Sequence, residues 1–125
     1  RSLLEKIQFS PVIAAAKEKG TGKLFIAFHP HTYSRTRDLF DEFTTAFAGA
    51  DKVLIAPIFA AREPDDGVTS SEKLAEHIRK TGVDAVALTF DEIRDALEIE
   101  PAEGDIVMTM GAGDIYKVAD QLVKH

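Results

Sequence analysis

The sequence predicts an α/β domain of three layers, with helices on both faces of a mainly parallel sheet of at least four strands. Three observations predict it. Four short apolar runs alternate with stretches whose apolar residues recur at helical spacing. The first, Leu24 to Phe28, is apolar throughout, as a strand is when both of its faces are covered. The turns between elements are short, and that pattern gives parallel strands joined by right-handed crossovers.

The elements follow in order. Arg1 to Phe9 has apolar residues without a clean period. Ser10-Pro11 reads as an N-cap with proline in the first turn. The alanine-rich stretch Val12 to Lys19 continues that helix, and Gly20 stops it. Leu24 to Phe28 is the first strand. A helix beginning near Thr36 carries Leu39, Phe40, Phe43 and Phe47 on one stripe and closes at Gly49. These phenylalanines read as core, not as a cofactor box. Lys52 to Pro57 is a second strand, followed by a long loop, Ile58 to Val68. Thr69-Ser70-Ser71-Glu72 fits a capping box whose helix buries Leu74, Ala75 and Ile78 and ends at Gly82. Asp84 to Leu88 is a third strand. Thr89-Phe90-Asp91-Glu92 is another capping box, with Ile93 and Leu97 turned inward. Asp105 to Met110 is a fourth strand. Gly111-Ala112-Gly113-Asp114 turns into a last helix with Ile115, Val118, Ala119 and Leu122 on one face.

This order places the loops 29–35, 58–69, 89–91 and 111–114 on one rim, at the carboxyl ends of the strands. Open α/β folds bind ligands there. The first loop concentrates chemistry: Phe28-His29-Pro30-His31-Thr32-Tyr33-Ser34-Arg35-Thr36-Arg37. A helix starting near Thr36 would carry Arg35 and Arg37 at its positive end, where acids are favoured, with Ser34 or Thr36 as cap. Free N–H groups, a hydroxyl and an arginine make an anion site. The plainer alternative has Arg37 reaching solvent, or pairing with Asp38, Asp41 or a neighbouring element.

Other chemistries are weaker. His29 and His31 are two residues apart and could share a metal, but no third ligand is evident, so no metal is assigned. His77 reads as exposed on its helix. Asp65-Asp66 reads as a solvated pair. Gly111-Ala112-Gly113 lacks the dinucleotide fingerprint and follows the last strand, not the first. It reads either as a tight turn or as bare backbone open to a ligand. No nucleophile elbow or phosphate loop occurs, so no catalytic residue is assigned.

Composition bounds the rest. At 125 residues this is one domain with room for a core. A net charge of −6 argues against nucleic acid as the main partner. No apolar run is long enough to span a bilayer. Cysteine is absent, which excludes disulfides and sits easily with a cytoplasmic location. Arg1 is not an initiator methionine, so the chain reads as processed or cut from something longer.

Specific motifs resemble the C-terminal domain of the Mur ligases, a Rossmann-like domain. They are His31-Thr32-Tyr33-Ser34-Arg35-Thr36, Ile58-Phe59-Ala60-Ala61-Arg62-Glu63, Gly67-Val68-Thr69-Ser70 and Met110-Gly111-Ala112-Gly113-Asp114-Ile115. The resemblance assigns residues 11–125 to that domain and leaves 1–10 as a non-matching segment. The family's Asp-Asp-Tyr-Gly-His-His-Pro opening is absent, and its glutamine before proline is His29 here.

The resemblance implies a part of an ATP- and Mg2+-dependent amide ligase of peptidoglycan synthesis. Such a ligase activates the carboxylate of UDP-N-acetylmuramate as an acyl phosphate, which the amine of L-alanine attacks. It implies partner domains of the same chain, one for the UDP-sugar and one for ATP, over which this domain closes. It places Arg35 on the alanine carboxylate, His31 and Ser34 beside the substrates, and Arg62 and Gly111 in loops lining the amino-acid pocket. Alone, the domain would hold no cofactor and be inactive. Two alternatives stand: a freestanding α/β domain binding a small anion, and the corresponding domain of the ligase that recycles murein tripeptide.

Overall fold

The computed structural model describes residue 13 and residues 22–111. The first and last predicted helices lie outside these residues, apart from Ile13, which is helical and buried. The described elements are β1 (Leu24–His29), α1 (Tyr33–Asp38), α2 (Phe40–Ala46), β2 (Lys52–Ile55), α3 (Ser71–Arg79), β3 (Asp84–Ala87), α4 (Phe90–Ile99) and β4 (Ile106–Gly111).

The four strands form one parallel sheet in the order β3-β2-β1-β4. Successive side chains of a strand point to opposite faces, and the core divides accordingly. Leu24, Ile26 and Phe28 of β1 join Val53 and Ile55 of β2 under α2 and α3, through Phe43, Phe47, Leu74 and Ile78. Phe28 meets Phe43 and Phe47 with ring centroids 5.1 and 5.2 Å apart. On the other face, Phe25, Ala27 and Leu54 pack against Ile93 and Leu97 of α4. Helices on both faces make the three layers predicted from the sequence.

The chain steps outward from β1 to β2 and β3 on one side, then crosses the other face through α4 to pair β4 with the free side of β1. The strand order therefore reverses between β1 and β4. The crevice outside the carboxyl ends of such a strand pair is where this architecture takes ligands. Here those ends are His29 and Gly111, which face each other in the register.

Several boundaries differ from the sequence reading. The helix expected from Thr36 begins at Tyr33 and is capped by Thr32, not by Ser34 or Thr36. Thr36 is fully buried, and its hydroxyl donates to the Thr32 carbonyl at 2.7 Å. The helical ladder breaks at Leu39 (φ −106°, ψ 15°), which separates α1 from α2. The capping box at Thr89–Glu92 forms as predicted. The one at Thr69–Glu72 does not: Ser70 is the cap and accepts from the Lys73 N–H, while the Thr69 hydroxyl donates to Asp66. Pro57 has no N–H for the ladder, and β2 ends at Ile55. Gly111 belongs to β4, not to the following turn.

Candidate functional site

The rim is built by two loops that zip together beyond the ends of β1 and β2. The Thr32 N–H donates to the Phe59 carbonyl at 2.7 Å, and the Phe59 N–H donates to the Pro30 carbonyl at 2.9 Å. This parallel bridge sets His31 beside Phe59, with ring centroids 5.3 Å apart. His29 is 4% exposed, its ring edge-on to Phe59 and to Phe90 at 5.9 and 5.0 Å. Three predicted rim loops therefore meet around the two histidines. The fourth, 112–114, lies outside the described residues.

Strain concentrates here. Thr32 (φ 58°, ψ 150°), Ala61 (φ 48°) and Arg62 (φ 73°) are the non-glycine residues with positive φ among those described. A β-branched residue in that backbone region is a true outlier. Thr32 is held there by the bond to Phe59, by its hydroxyl accepting from the Arg35 N–H at 3.2 Å, and by its carbonyl accepting from Thr36. The consecutive left-handed residues Ala61 and Arg62 turn the second loop so that Glu63 reaches back to α1.

Glu63 changes the electrostatic reading. Its Oε1 accepts the Ser34 N–H at 2.9 Å and its Oε2 accepts the Ser34 hydroxyl at 2.6 Å. The bonds from the Ser34 hydroxyl and N–H hold the Glu63 carboxyl below the usual carboxylate range. The anion at the start of α1 is thus the protein's own. With the helix starting at Tyr33, Arg35 and Arg37 fall in its last turn, where cations are favoured. The charge anomaly read from the sequence is absent, because it rested on a start three residues too late. A six-residue helix also has little dipole to offer an external anion.

Asp66 is the second clamp. It accepts the Val68 and Thr69 N–H groups at 2.9 and 2.6 Å, the Thr69 hydroxyl at 2.6 Å, and Arg37 Nη1 at 3.4 Å. The Thr69 hydroxyl and amide lead in lowering its carboxyl to about 2. The expectation of a solvated Asp65–Asp66 pair fails for Asp66. Arg37 pairs with Asp66 and Asp38, the plainer of its two readings. His77 is half-buried, not exposed, with its ring 5.0 Å from Phe40.

Gly111 has a steric reason to be glycine. Its φ is +116°, and a Cβ there would meet the backbone of His29, carbonyl oxygen first. His31 is half-buried on the first loop, Ser34 and Arg35 are half-buried in α1, and Arg62 is exposed on the second loop. Ser34 is bonded to Glu63, the residue after Arg62. His31 lies at the bridge, and Gly111 beside His29. None of these five lines the rim's 290 Å³ cleft, but Tyr33 does, with Asp65, Thr69, Ser71, Glu72 and Glu92. Glu63, Phe59 and Tyr33 stand in the motifs read from the sequence, but none of them is assigned a site role there. The signal that could have joined them is the topology that sets the 58–69 loop against 29–37. Among the described residues no three His, Cys, Asp or Glu side chains are placed to share a metal. None of the described helices is long and apolar enough to cross a membrane.

The fold is a doubly wound α/β domain, and the candidate rim sits at the switch point between β1 and β4. The similarities of the sequence narrow this further. No family model matches the chain. The chain is 44% identical over 117 residues to UDP-N-acetylmuramate–L-alanine ligase of Clostridium botulinum strain Hall, 93% of the chain and 26% of that ligase. It is 42% identical over 117 residues to the ligase of the same name from Clostridium acetobutylicum, and 40% identical over 118 residues to that from Clostridium tetani. Each match covers 93–94% of the chain and 26% of the relative, and falls in the relative's C-terminal part. The chain is a homologue of the C-terminal part of these ligases, and it spans about a quarter of the length of the curated relatives it matches.

Proposed function

We propose that this chain is the amino-acid-binding C-terminal domain of an ATP-dependent ligase that joins L-alanine to UDP-N-acetylmuramate, and that it is inactive by itself. The single observation that supports this most is the 40–44% identity across nearly the whole chain to ligases of that name. In this reading Arg35 receives the carboxylate of the incoming amino acid. A guanidinium on a short helix whose start is clamped by the neighbouring loop can offer a bidentate, charge-assisted contact. His31, held against Phe59, flanks the substrates as a hydrogen-bonding ring. Ser34 keeps its hydroxyl proton on Glu63 and offers the ligand an acceptor. Arg62 and Gly111 line the amino-acid pocket.

ATP and Mg2+ would be held by the preceding domains. The described residues do not form a metal-ligand set and the sequence has no phosphate loop, so no step is assigned to either group here. What this domain supplies is binding, orientation and closure over the reacting carboxyl. The test is phosphate release by the full-length polypeptide with UDP-N-acetylmuramate and ATP. Release should depend on L-alanine and vanish when residues 11–125 are deleted. Release that is independent of alanine, or that survives the deletion, would refute the proposal.

A further inference from the structure

We propose that Glu63 is a positioning residue for amino-acid binding: it carries no substrate contact and sets where Arg35 stands. The inference rests on the reading of Arg35 given above. The argument begins with the strain at Thr32. That residue sits in a backbone region nearly confined to glycine, and such conformations persist only where the surroundings over-determine them. Part of that surrounding is local, through Arg35 and Thr36. The rest comes from the neighbouring loop, where the Phe59 carbonyl holds the Thr32 N–H and the Glu63 carboxylate holds both donors of Ser34.

Thr32 and Ser34 lie in the turn that carries Arg35, so the backbone position from which Arg35 extends is set in part from residues 59 and 63. The backbone reversal at Ala61–Arg62 exists at a conformational cost and serves to bring Glu63 onto Ser34. Two short bonds from one carboxylate to one residue constrain both its backbone and its side chain. Small misplacement of a substrate-binding group lowers turnover steeply, about a hundredfold for a displacement of roughly 1 Å.

The experiment uses the full-length ligase with Glu63→Ala, Glu63→Gln and Arg35→Ala. Glutamine keeps an acceptor for the Ser34 N–H and an amide that can donate to its hydroxyl. Two readouts are taken: KM for L-alanine and for ATP, and hydrogen exchange of the peptide covering residues 29–37. Glu63→Ala should raise the alanine KM about tenfold or more, leave the ATP KM within about twofold, and speed exchange of that peptide. Glu63→Gln should restore most of both effects. Unchanged exchange in Glu63→Ala overturns the proposal, as does a parallel rise in both KM values. A fall in the alanine KM also overturns it, because Glu63 would then be competing with the substrate carboxylate. If Arg35→Ala raises the alanine KM and Glu63→Ala does not, the positioning role fails and the Arg35 reading stands. If Arg35→Ala leaves that KM unchanged, the binding reading fails and the inference falls with it.

Discussion

Gly111→Ala is the substitution whose effect can be worked most directly from the geometry. Gly111 ends β4 opposite His29, at φ +116°. An alanine there incurs two costs. The first is backbone strain, about 1–3 kcal/mol for a conformation that L-residues avoid. The second is the overlap of the new Cβ with three backbone atoms of His29, its O, C and N. Backbone cannot rotate away as a side-chain tip can, so the last rung between β1 and β4 must open, costing about 1 kcal/mol for a lost hydrogen bond. The sum is about 2–4 kcal/mol. Gly67→Ala is the control. Gly67 also has positive φ (+73°), but nothing lies within 4 Å of its would-be Cβ. It should cost only the backbone part, about 1–2 kcal/mol. Urea unfolding of both variants gives the two numbers from midpoint shifts at a common slope. Equal destabilisation by the two would refute the steric role assigned to Gly111 and return it to a simple open turn.

Two further outcomes follow from the clamped loops. Thr32→Gly should be more stable than Thr32→Ala by about 1–2 kcal/mol, because glycine removes the strain and tolerates the cap position while alanine keeps the strain and loses the cap; equal melting midpoints would mean that Thr32 is unstrained. The Asp66 carboxyl is lowered in the folded chain to about 2 from an ordinary value near 3.8. A depressed folded pKa contributes stability that is full above the unfolded value and is lost as the pH falls through about 4 toward about 2. Asp66→Asn should therefore melt below the parent at pH 7, with the gap closing between about pH 4 and pH 2; a constant gap would contradict this.

Most of the fold was legible because burial imposes period and continuity. The four apolar runs became the four strands, and the Phe43–Phe47 and Leu74–Ile78 stripes became one half of the core. What was not legible depends on contacts distant in sequence. Thr32 is an unlikely helix cap by its backbone angles alone. It serves because Phe59 and Glu63, some thirty residues on, hold the loop around it. The late helix start at Thr36 then produced a false electrostatic anomaly. Glu63 is pinned by Ser34 from the neighbouring loop, whereas Asp66 is pinned mainly by Val68 and Thr69 just after it. The cap at Ser70 in place of Thr69 has a local origin: Asp66, three residues earlier, engages the Thr69 hydroxyl. The capping box at Thr89–Glu92 has no such competitor and formed as read.

The claim that matters most is that this rim receives the amino-acid carboxylate through Arg35. The direct measurement is the steady-state KM for L-alanine and for ATP in the full-length ligase carrying Arg35→Ala. Loss of a charge-assisted pair costs roughly 1.5–3 kcal/mol, so the alanine KM should rise about tenfold to a hundredfold while that for ATP stays within about twofold. Equal changes in the two constants, or none in either, would contradict the assignment.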